Sequence, residues 1–249
     1  MSENIFKRGL KKLFDLVGYQ VVSKDQFGIN ILADLKTILG SEKKMILFDV
    51  GANLGQTTLE FADTFSKSSI YSFEPDPETF SKLTEQTKLL TNVSAYNLGF
   101  GSQQEELQMN INRNTGGNSI LAVSNTIKKF TSGHWTETIG QRKVEINTLN
   151  SFCQMHKISS IDILKIDTQG YELKIIEGGD KVVSAAFTKV IFIEVLFVEL
   201  YKDQAYFTDI YKILTERGFK LVGFYNTFRK VDPPHFLLWC DALFVSETL

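Results

Sequence analysis

The sequence predicts an α/β fold in which short apolar strands alternate with helices around a mostly parallel sheet. Two observations carry this prediction. The stretch Met45–Thr58 passes from an apolar run through a glycine-containing turn into residues that can form a helix, as a doubly buried strand and its crossover helix would do. Near the C-terminus, the connection between Phe219–Phe224 and Phe236–Val245 is too short for a crossover helix, so these two segments are predicted to form an antiparallel hairpin.

The composition is that of an ordinary globular protein and excludes several classes of partner. Of the 249 residues, 43 % are hydrophobic and 22 % are charged, and the formal net charge is −2. This charge gives no electrostatic reason to expect a nucleic-acid partner. The apolar runs are shorter than a membrane span. Cys153 and Cys240 have neither disulfide nor zinc spacing, so we expect a reducing, cytoplasmic location.

The first 40 residues are predicted to form a helical appendage to a domain that spans residues 41–249. Residues 6–22 read as an amphipathic helix, with apolar and basic faces. Such a helix could lie on an anionic membrane surface, or it could cap the sheet or a partner copy in a homo-oligomer. The apolar face consists of Leu10, Leu13, Phe14 and Val17, and the basic face of Arg8, Lys11 and Lys12.

The turn after the first strand carries Asp49, Gly51, Asn53 and Gly55. Glycine allows a tight turn and the close approach of a ligand, and the helix N-terminus beyond it adds unpaired N–H groups. A dinucleotide fingerprint needs glycine at its first, third and sixth positions, but the third here is Asn53 and the sixth is Gln56. The turn therefore favours a ligand without a pyrophosphate, such as S-adenosylmethionine. The alternative is a purely structural strand-to-helix turn.

The second strand, Ile70–Phe73, leads into Glu74 and Pro75, which are both candidate contacts of the cofactor. An acidic residue about 20 residues beyond a glycine turn can accept hydrogen bonds from both hydroxyls of a ribose, so Glu74 is predicted to hold the ribose of the cofactor. Asn97 and Leu98 end the next strand and are candidate contacts of the adenine. The alternative for Glu74 is a solvated carboxylate in a loop. The alternative for Asn97 and Leu98 is that they are ordinary residues at the end of a strand.

Between residues 100 and 147 the alternation of strands and helices breaks. Glu106–Asn112 and Lys143–Thr148 alternate apolar and polar residues, which predicts half-exposed antiparallel strands. The long polar region between them is predicted to be a substrate lid, because long loops on a rigid scaffold often carry recognition. The tryptophan of this region, Trp135, could instead be only a partly buried aromatic residue, which is the commoner case. The candidate acceptor contacts in this insert are Asn118, His134 and Trp135.

A second group of candidates follows the strand Ile161–Ile166. Asp167 lies where open α/β sheets bind ligands, so it could contact the cofactor, orient the acceptor hydroxyl, act as general base or help to hold a cation. Glu172 could contact the acceptor, or it could only stabilise a helix N-terminus. Glu194 interrupts an apolar strand and should therefore have a partner or face a cleft. Glu194 and His134 are alternative bases; Mg²⁺ is conceivable but is not predicted.

Three motifs, at residues 48–55, 73–75 and 164–172, resemble those of the FkbM-type S-adenosylmethionine-dependent methyltransferases. The resemblance runs from about residue 45 to the C-terminus. It implies a Rossmann-like class I methyltransferase fold, and O-methylation of hydroxyls on natural products or on sugars of surface glycans. By this resemblance Asp49, Gly51, Asn53 and Gly55 would contact the methionine part of the cofactor, Glu74 the ribose, and Asp167 the transferred methyl group or the acceptor.

Two rival classes of function stay open. Seven strands closed by an antiparallel hairpin are typical of a methyltransferase sheet rather than of a dehydrogenase sheet, and Asn53 and Gln56 also disfavour a nicotinamide-linked oxidoreductase. The stronger rival is a non-catalytic module that keeps the fold and binds a nucleoside or a glycan, because a fold alone never establishes an activity.

Overall fold

The computed structural model of the protein describes residues 5–23, 26–40, 43–130 and 137–249, without the side chains of residues 5–9, 128 and 129. His134 and Trp135, two of the predicted site residues, lie outside the described residues. The chain divides into two compact units, Met1–Gly40 and Ser41–Leu249. None of the described helices is long and apolar enough to cross a membrane.

The first unit contains the helices α1 (Ile5–Leu16) and α2 (Ile31–Leu39). Helix α1 ends earlier than the predicted range of residues 6–22. Gly18 adopts a left-handed φ of +82°, and the N–H of Tyr19 donates to the carbonyl of Phe14 at 2.9 Å, a pattern that terminates a helix. The glycine thus stops a helix that the apolar periodicity alone would have continued.

The second unit contains ten strands and five α-helices among its described residues. The strands are β1 (Ile46–Val50), β2 (Ser69–Phe73), β3 (Val93–Tyr96), β4 (Gly99–Phe100), β5 (Glu105–Asn112), β6 (Thr138–Asn147), β7 (Ile161–Ile166), β8 (Thr188–Leu196), β9 (Phe219–Arg229) and β10 (Leu237–Ser246). The helices are α3 (Gln56–Thr64), α4 (Pro77–Thr87), α5 (Leu149–Met155), α6 (Glu172–Gly178) and α7 (Phe207–Glu216).

Seven strands form the main sheet in the order β3-β2-β1-β7-β8-β10-β9. The first five of these are parallel, whereas β10 is antiparallel to both β8 and β9. Strands β4, β6 and β5 form a separate small sheet, in which β5 and β6 are antiparallel. The predicted fold class, with its closing hairpin and its β-containing insert, is therefore confirmed. The strand order reverses between β1 and β7, where open α/β sheets bind ligands.

An aromatic cluster fixes the sheet beneath this point of reversal. The rings of Phe48 on β1 and Phe73 on β2 lie 5.2 Å apart, and Phe152 of α5 meets Phe73 edge-on at 4.8 Å. All three side chains are buried. Edge-to-face contacts of this kind add to the hydrophobic stabilisation and restrict the relative movement of the rings. The cluster therefore makes a rigid base for the turns that follow β1 and β2.

Several strands extend beyond their predicted bounds, among them β6, which begins at Thr138 rather than at Lys143, and for β1 and β9 the reason can be identified. Strand β1 includes Asp49, which the sequence placed after the strand, because Lys165 lies beside Asp49 on β7 and compensates its charge. Strand β9 runs to Arg229 rather than ending at Phe224. Its additional residues are largely exposed, and they are held by pairing with β10 rather than by burial.

Candidate active site

A cleft of about 650 Å³, a volume that includes the solvent at its mouth, lies at the carboxyl ends of β1, β2 and β7. Its size is within the range of small-molecule and cofactor sites. Residues of the insert form one wall of it. Of the predicted site residues, Gly51, Asn53, Glu74, Pro75, Leu98, Asn118 and Asp167 line the cleft. The predicted residues Asp49, Gly55, Asn97, Glu172 and Glu194 do not line it.

The turn after β1 requires glycine because it touches the turn after β7. Gly51 has a left-handed φ of +75°, and a Cβ atom placed on it would lie 1.9 Å from the backbone oxygen of Asp167. Gly55 also has a positive φ, +94°, and precedes α3. A Cβ on Gly55 would meet Leu83 at 2.9 Å. The two glycines thus allow backbone packing, and Gly51 in addition borders the cleft.

A buried ion pair holds the two turns from below. Asp49 is fully buried; its Oδ1 lies 3.0 Å from Nζ of Lys165, and its Oδ2 accepts a hydrogen bond of 2.6 Å from Thr58. Lys165 also donates to the carbonyl of Gly51 at 3.0 Å and lies 3.5 Å from Oδ2 of Asp167. Burial alone would lower the pKa of Lys165, but the negative charges of Asp49 and Asp167 raise it above its usual range. Asp49 therefore supports the turn.

Glu74 presents a nearly buried carboxylate to the cleft. Its Oε2 accepts the N–H of Asn53 and its Oε1 accepts the N–H of Asp76, both at 2.9 Å. Burial raises the pKa of Glu74 to about 7, although these two hydrogen bonds favour the ionised form. Each carboxylate oxygen can accept a further hydrogen bond. Glu74 is therefore suited to two ligand hydroxyls. Asn97 instead stabilises this loop, since its amide donates to the carbonyls of Glu74 and Pro75 at 2.9 Å.

Two buried amide atoms in the cleft have no hydrogen-bond partner among the described residues. They are Oδ1 of Asn53, in the turn after β1, and Nδ2 of Asn118, in the insert. The other end of Asn118 is occupied, because its Oδ1 accepts the N–H of Asn112 at 2.8 Å. Unpaired buried polar atoms are uncommon in native proteins. One acceptor and one donor are thus left available to a polar ligand in the cleft.

Asp167 lies on the wall of the cleft, with 35 % of its side chain exposed. The amide of Gln169 donates to Oδ1 of Asp167 and to Oε2 of Glu194, both at 2.9 Å. The pKa of Glu194 is raised well above its usual value, first because burial penalises its charge. The negative charges of Asp167, Glu172 and Asp241 raise it further. Burial and these neighbouring charges therefore both favour the protonated form of the Glu194 carboxyl.

Glu172 stabilises the turn after β7 rather than facing the cleft. It is the first residue of α6, and it is buried. Its Oε1 accepts the N–H of Thr168 at 2.8 Å, the hydroxyl of Thr168 at 3.0 Å and the N–H of Gly170 at 3.2 Å. Burial raises its pKa to about 7. The acceptor contact predicted for Glu172 is thus replaced by a set of hydrogen bonds within the loop.

The sequence analysis assigned no role to three residues that shape the site: Lys165, Gln169 and Tyr201. Lys165 was recognisable, because a lysine in the apolar strand β7 is as unexpected as Glu194 in β8. Gln169 and Tyr201 carried no comparable signal. Their hydrogen bond joins residues 32 positions apart. Gln169 also has a positive φ, which cannot be predicted from the presence of a glutamine.

The carboxylates at this end of the sheet are engaged in hydrogen bonds rather than arranged around a shared point. Among the residues that the structure describes, no group of three or more His, Cys, Asp and Glu side chains is placed to hold a metal ion. The oxygen of Glu172 accepts from the loop, and Glu194 accepts from Gln169.

The strand order, the closing antiparallel hairpin and the cleft beside β1 define the class I methyltransferase type of α/β protein. The sequence model of the family described as "Methyltransferase FkbM domain" matches residues 49–221, well over half of the chain. The protein belongs to this family, and it is a methyltransferase. The resemblance seen in the three sequence motifs is therefore confirmed.

Several named proteins are similar to this chain. It is 24 % identical over 182 residues to 2-O-methyltransferase NoeI of Sinorhizobium fredii, covering 72 % of this chain and 73 % of that protein. It is 24 % identical over 139 residues to hexuronic acid methyltransferase AglP of Haloferax volcanii, covering 55 % and 51 %. Among solved structures, a precorrin-6y C5,15-methyltransferase from Geobacter metallireducens is 12 % identical with a TM-score of 0.46, covering 89 % and 92 %.

Proposed function

We propose that the protein transfers a methyl group from S-adenosylmethionine to a hydroxyl oxygen of a sugar, a glycan or a natural product. The observation that carries this proposal is the donor and acceptor set of the cleft. Glu74 would accept hydrogen bonds from the ribose hydroxyls. The unpaired Oδ1 of Asn53 and Nδ2 of Asn118 supply the acceptor and the donor that an amino-acid ammonium and carboxylate require. Pro75 and Leu98 offer apolar surface for the adenine.

The residues of this chain that would act on the acceptor centre on Asp167. S-adenosylmethionine supplies a methyl group that is already activated by a positively charged sulfur. The protein must therefore align the acceptor oxygen and exclude water. An alcohol is a weak nucleophile, and Asp167 would accept its proton during attack, a contribution of roughly 10²–10⁴-fold. Glu194 is the weaker candidate for this role because it does not line the cleft and its carboxyl already accepts a hydrogen bond from Gln169. His134 remains a predicted alternative outside the described residues.

The nature of the acceptor is inferred from the relatives and from the insert. Two similar proteins are named for 2-O-methylation and for a hexuronic acid, which favours a sugar-type hydroxyl for this chain as well. The insert contributes apolar surface through Met109 and Ile120 and polar groups through Thr115 and Asn118. A mixed wall of this kind suits a sugar, which presents both hydroxyl groups and C–H surface.

A transfer assay with labelled S-adenosylmethionine and a panel of sugars, glycans and hydroxylated natural products tests this proposal. We expect transfer by the wild-type protein and about a hundredfold lower kcat in Asp167→Asn, with the affinity for the donor unchanged. Glu194→Gln is the matched control, because it makes the same carboxyl-to-amide change at a neighbouring residue that does not line the cleft, and it should retain most of the activity. Full turnover by Asp167→Asn would contradict the role of Asp167 as base.

The rival function gives a different result in the same assay. A non-catalytic module would bind S-adenosylmethionine but would transfer no label to any acceptor of the panel. The donor affinity is therefore measured beside the transfer rate. Donor binding with transfer supports the proposed reaction, whereas donor binding without transfer across the whole panel would favour the binding module.

The N-terminal unit is given no part in the methyl transfer, and its predicted roles are contact with a membrane or with a partner copy. Helix α1 (Ile5–Leu16) carries Leu10 and Phe14 on the predicted apolar face and Lys11 on the opposite, basic face. Contact with an anionic membrane, homo-oligomerisation and a cytoplasmic location stay predictions. Co-sedimentation with vesicles of phosphatidylglycerol tests the membrane contact: the full chain should bind them, and Leu13→Glu should release it. Equal sedimentation of both proteins would contradict that prediction.

A further inference from the structure

Gln169 is held in a backbone conformation that glutamine rarely adopts. Its φ is +57°, in the left-handed region, and Gly170 follows with a φ of +98°. Such a conformation is unfavourable for a residue with a Cβ atom and persists only where the surroundings enforce it. Here the hydroxyl of Ser119, in the insert, donates to the backbone carbonyl of Gln169 at 2.7 Å. A strained conformation of this kind often occurs where the side chain has a functional role.

Every polar position of the Gln169 side chain has a complementary partner. Its Oε1 accepts the hydroxyl of Tyr201 at 2.7 Å. Its Nε2 donates to Oδ1 of Asp167 and to Oε2 of Glu194, both at 2.9 Å. A carboxyl oxygen that carries no proton can only accept a hydrogen bond, so the N–H₂ end of the amide faces the two carboxyl groups, and the amide oxygen is left for the tyrosine hydroxyl, which has a hydrogen to give. The orientation of the Gln169 amide is therefore fixed by chemistry and not only by packing.

Tyr201 is in turn a rigid anchor. It is fully buried in a cluster with Ile127, Leu196 and Leu200. Its backbone forms an isolated bridge with Val123 of the insert. Both the ring and the backbone of Tyr201 are therefore held in place beside Gln169. The Gln169 amide is thus hydrogen-bonded to a side chain that is itself fully buried and packed.

We propose that Gln169, held by Tyr201, is the positioning residue of this site: it fixes the orientation of the Asp167 carboxylate towards the cleft. One oxygen of Asp167 is bound by the Gln169 amide, and the other faces Nζ of Lys165 at 3.5 Å. With both oxygens located, the carboxylate cannot rotate freely, and a positioned base is a more effective one. The consequence for catalysis rests on the proposed function, whereas the positioning does not.

Glu194 reports on this arrangement because it accepts from the same amide group. The charged groups that face it are Asp167 after β7, Glu172 at the start of α6 and Asp241 on β10. The Gln169 hydrogen bond favours its ionised form and so opposes burial and these three charges. Loss or misplacement of the amide should therefore make Glu194 harder to ionise. This readout requires neither methyl donor nor acceptor.

The test follows the titration of Glu194 in the free protein by NMR, with carbon-13 at the carboxyl carbon of glutamate and assignment by Glu194→Gln. Gln169→Met keeps the length of the side chain but has no amide, and it should move the Glu194 midpoint upward by about one pH unit. Tyr201→Phe removes only the hydroxyl and should move it in the same direction by less. The double variant should match Gln169→Met alone, because Tyr201 acts through Gln169.

Tyr211→Phe is the matched control: it removes a hydroxyl on α7, where Tyr211 is 42 % exposed, and should leave the Glu194 titration unchanged. A Tyr201→Phe variant with the wild-type titration, or additive effects in the double variant, would overturn the proposal. In the transfer assay, Tyr201→Phe should lower kcat about tenfold while KM for S-adenosylmethionine stays constant. If no acceptor is methylated, the titration still decides on Gln169, so failure of the proposed function is distinguishable.

Discussion

Nζ of Lys165 lies 3.0 Å from Oδ1 of Asp49, directly below the two turns that form the cleft. The two residues are paired in register on the neighbouring strands β7 and β1, where the order of the sheet reverses. Their side chains are 7 % and 0 % exposed. The position of the cleft therefore depends on a buried charge pair as well as on apolar packing.

Replacement of Lys165 should destabilise the fold strongly. Lys165→Met leaves the fully buried Asp49 without its compensating charge, so we expect the free energy of unfolding in urea to fall by about 3–5 kcal/mol. The double variant Asp49→Asn with Lys165→Met should recover much of that loss. Lys143→Met, which breaks an exposed pair with Glu106, is the control and should leave the urea midpoint unchanged. Wild-type stability of Lys165→Met would contradict this role of the pair.

A methyl group at position 51 should separate the turns after β1 and β7. In Gly51→Ala the Cβ would lie 1.9 Å from the carbonyl oxygen of Asp167, at a φ of +75°. We expect a loss of at least about 2 kcal/mol in unfolding free energy together with loss of donor binding. Gly140→Ala is the matched control, since its Cβ would meet no described atom within 4 Å and its φ is not positive. Equal thermal stability of the two variants would argue against the close contact.

Burial of Glu172 should make the fold less stable as pH rises. Its pKa is about 7 in the folded protein against 4.5 for the ordinary group, so the folded state binds more protons between these values. The contribution of Glu172 to stability is therefore largest below about pH 4.5, and it falls as the pH rises to 7. Glu172→Gln keeps the acceptor for the N–H of Thr168 and should remove about 3 kcal/mol of that fall. Denaturant titrations from pH 5 to pH 8 measure it; parallel curves would contradict it.

Binding of S-adenosylmethionine should strengthen as pH rises through 7. Glu74 has a pKa of about 7, and ribose hydroxyls donate better to the ionised carboxylate, so its proton must leave on binding. The dissociation constant should be roughly tenfold lower at pH 8 than at pH 6. Glu78→Gln, a neighbouring exposed carboxylate, serves as control and should keep this dependence, whereas Glu74→Gln should lose it. An affinity of the wild-type protein that does not change with pH would contradict the assignment to Glu74.

The backbone framework was predictable from the sequence because it follows from local patterns. Apolar runs such as Ile161–Ile166 mark strands buried on both faces, and their carboxyl ends must meet at one edge of the sheet. This reasoning brought Glu74 and Asp167 to the same cleft, where the structure places both. The closing hairpin followed from the short connection before β10. These features depend only on short stretches of sequence, each of which can be interpreted without knowing its distant contacts.

The side-chain partners were not predictable, because they depend on register and on contacts between distant segments. Asp49 was expected to face the cofactor, but the register of β1 and β7 turns it to Lys165. Asn97 was expected beside the adenine, but its amide donates to the carbonyls of Glu74 and Pro75. Which partners a side-chain amide binds is decided by a few hydrogen bonds, and the spacing of apolar residues in the sequence does not predict them.

The most direct test of the account is a calorimetric titration of the protein with S-adenosylmethionine, S-adenosylhomocysteine and NAD. We predict micromolar binding of both adenosyl ligands and no binding of NAD. In Asn118→Asp the acceptor for Asn112 is kept but the unpaired donor is replaced by a charged oxygen, so binding of both adenosyl ligands should weaken at least about tenfold. A folded protein that binds neither adenosyl ligand, or that binds NAD equally well, would contradict the central claim that this cleft holds the methyl donor.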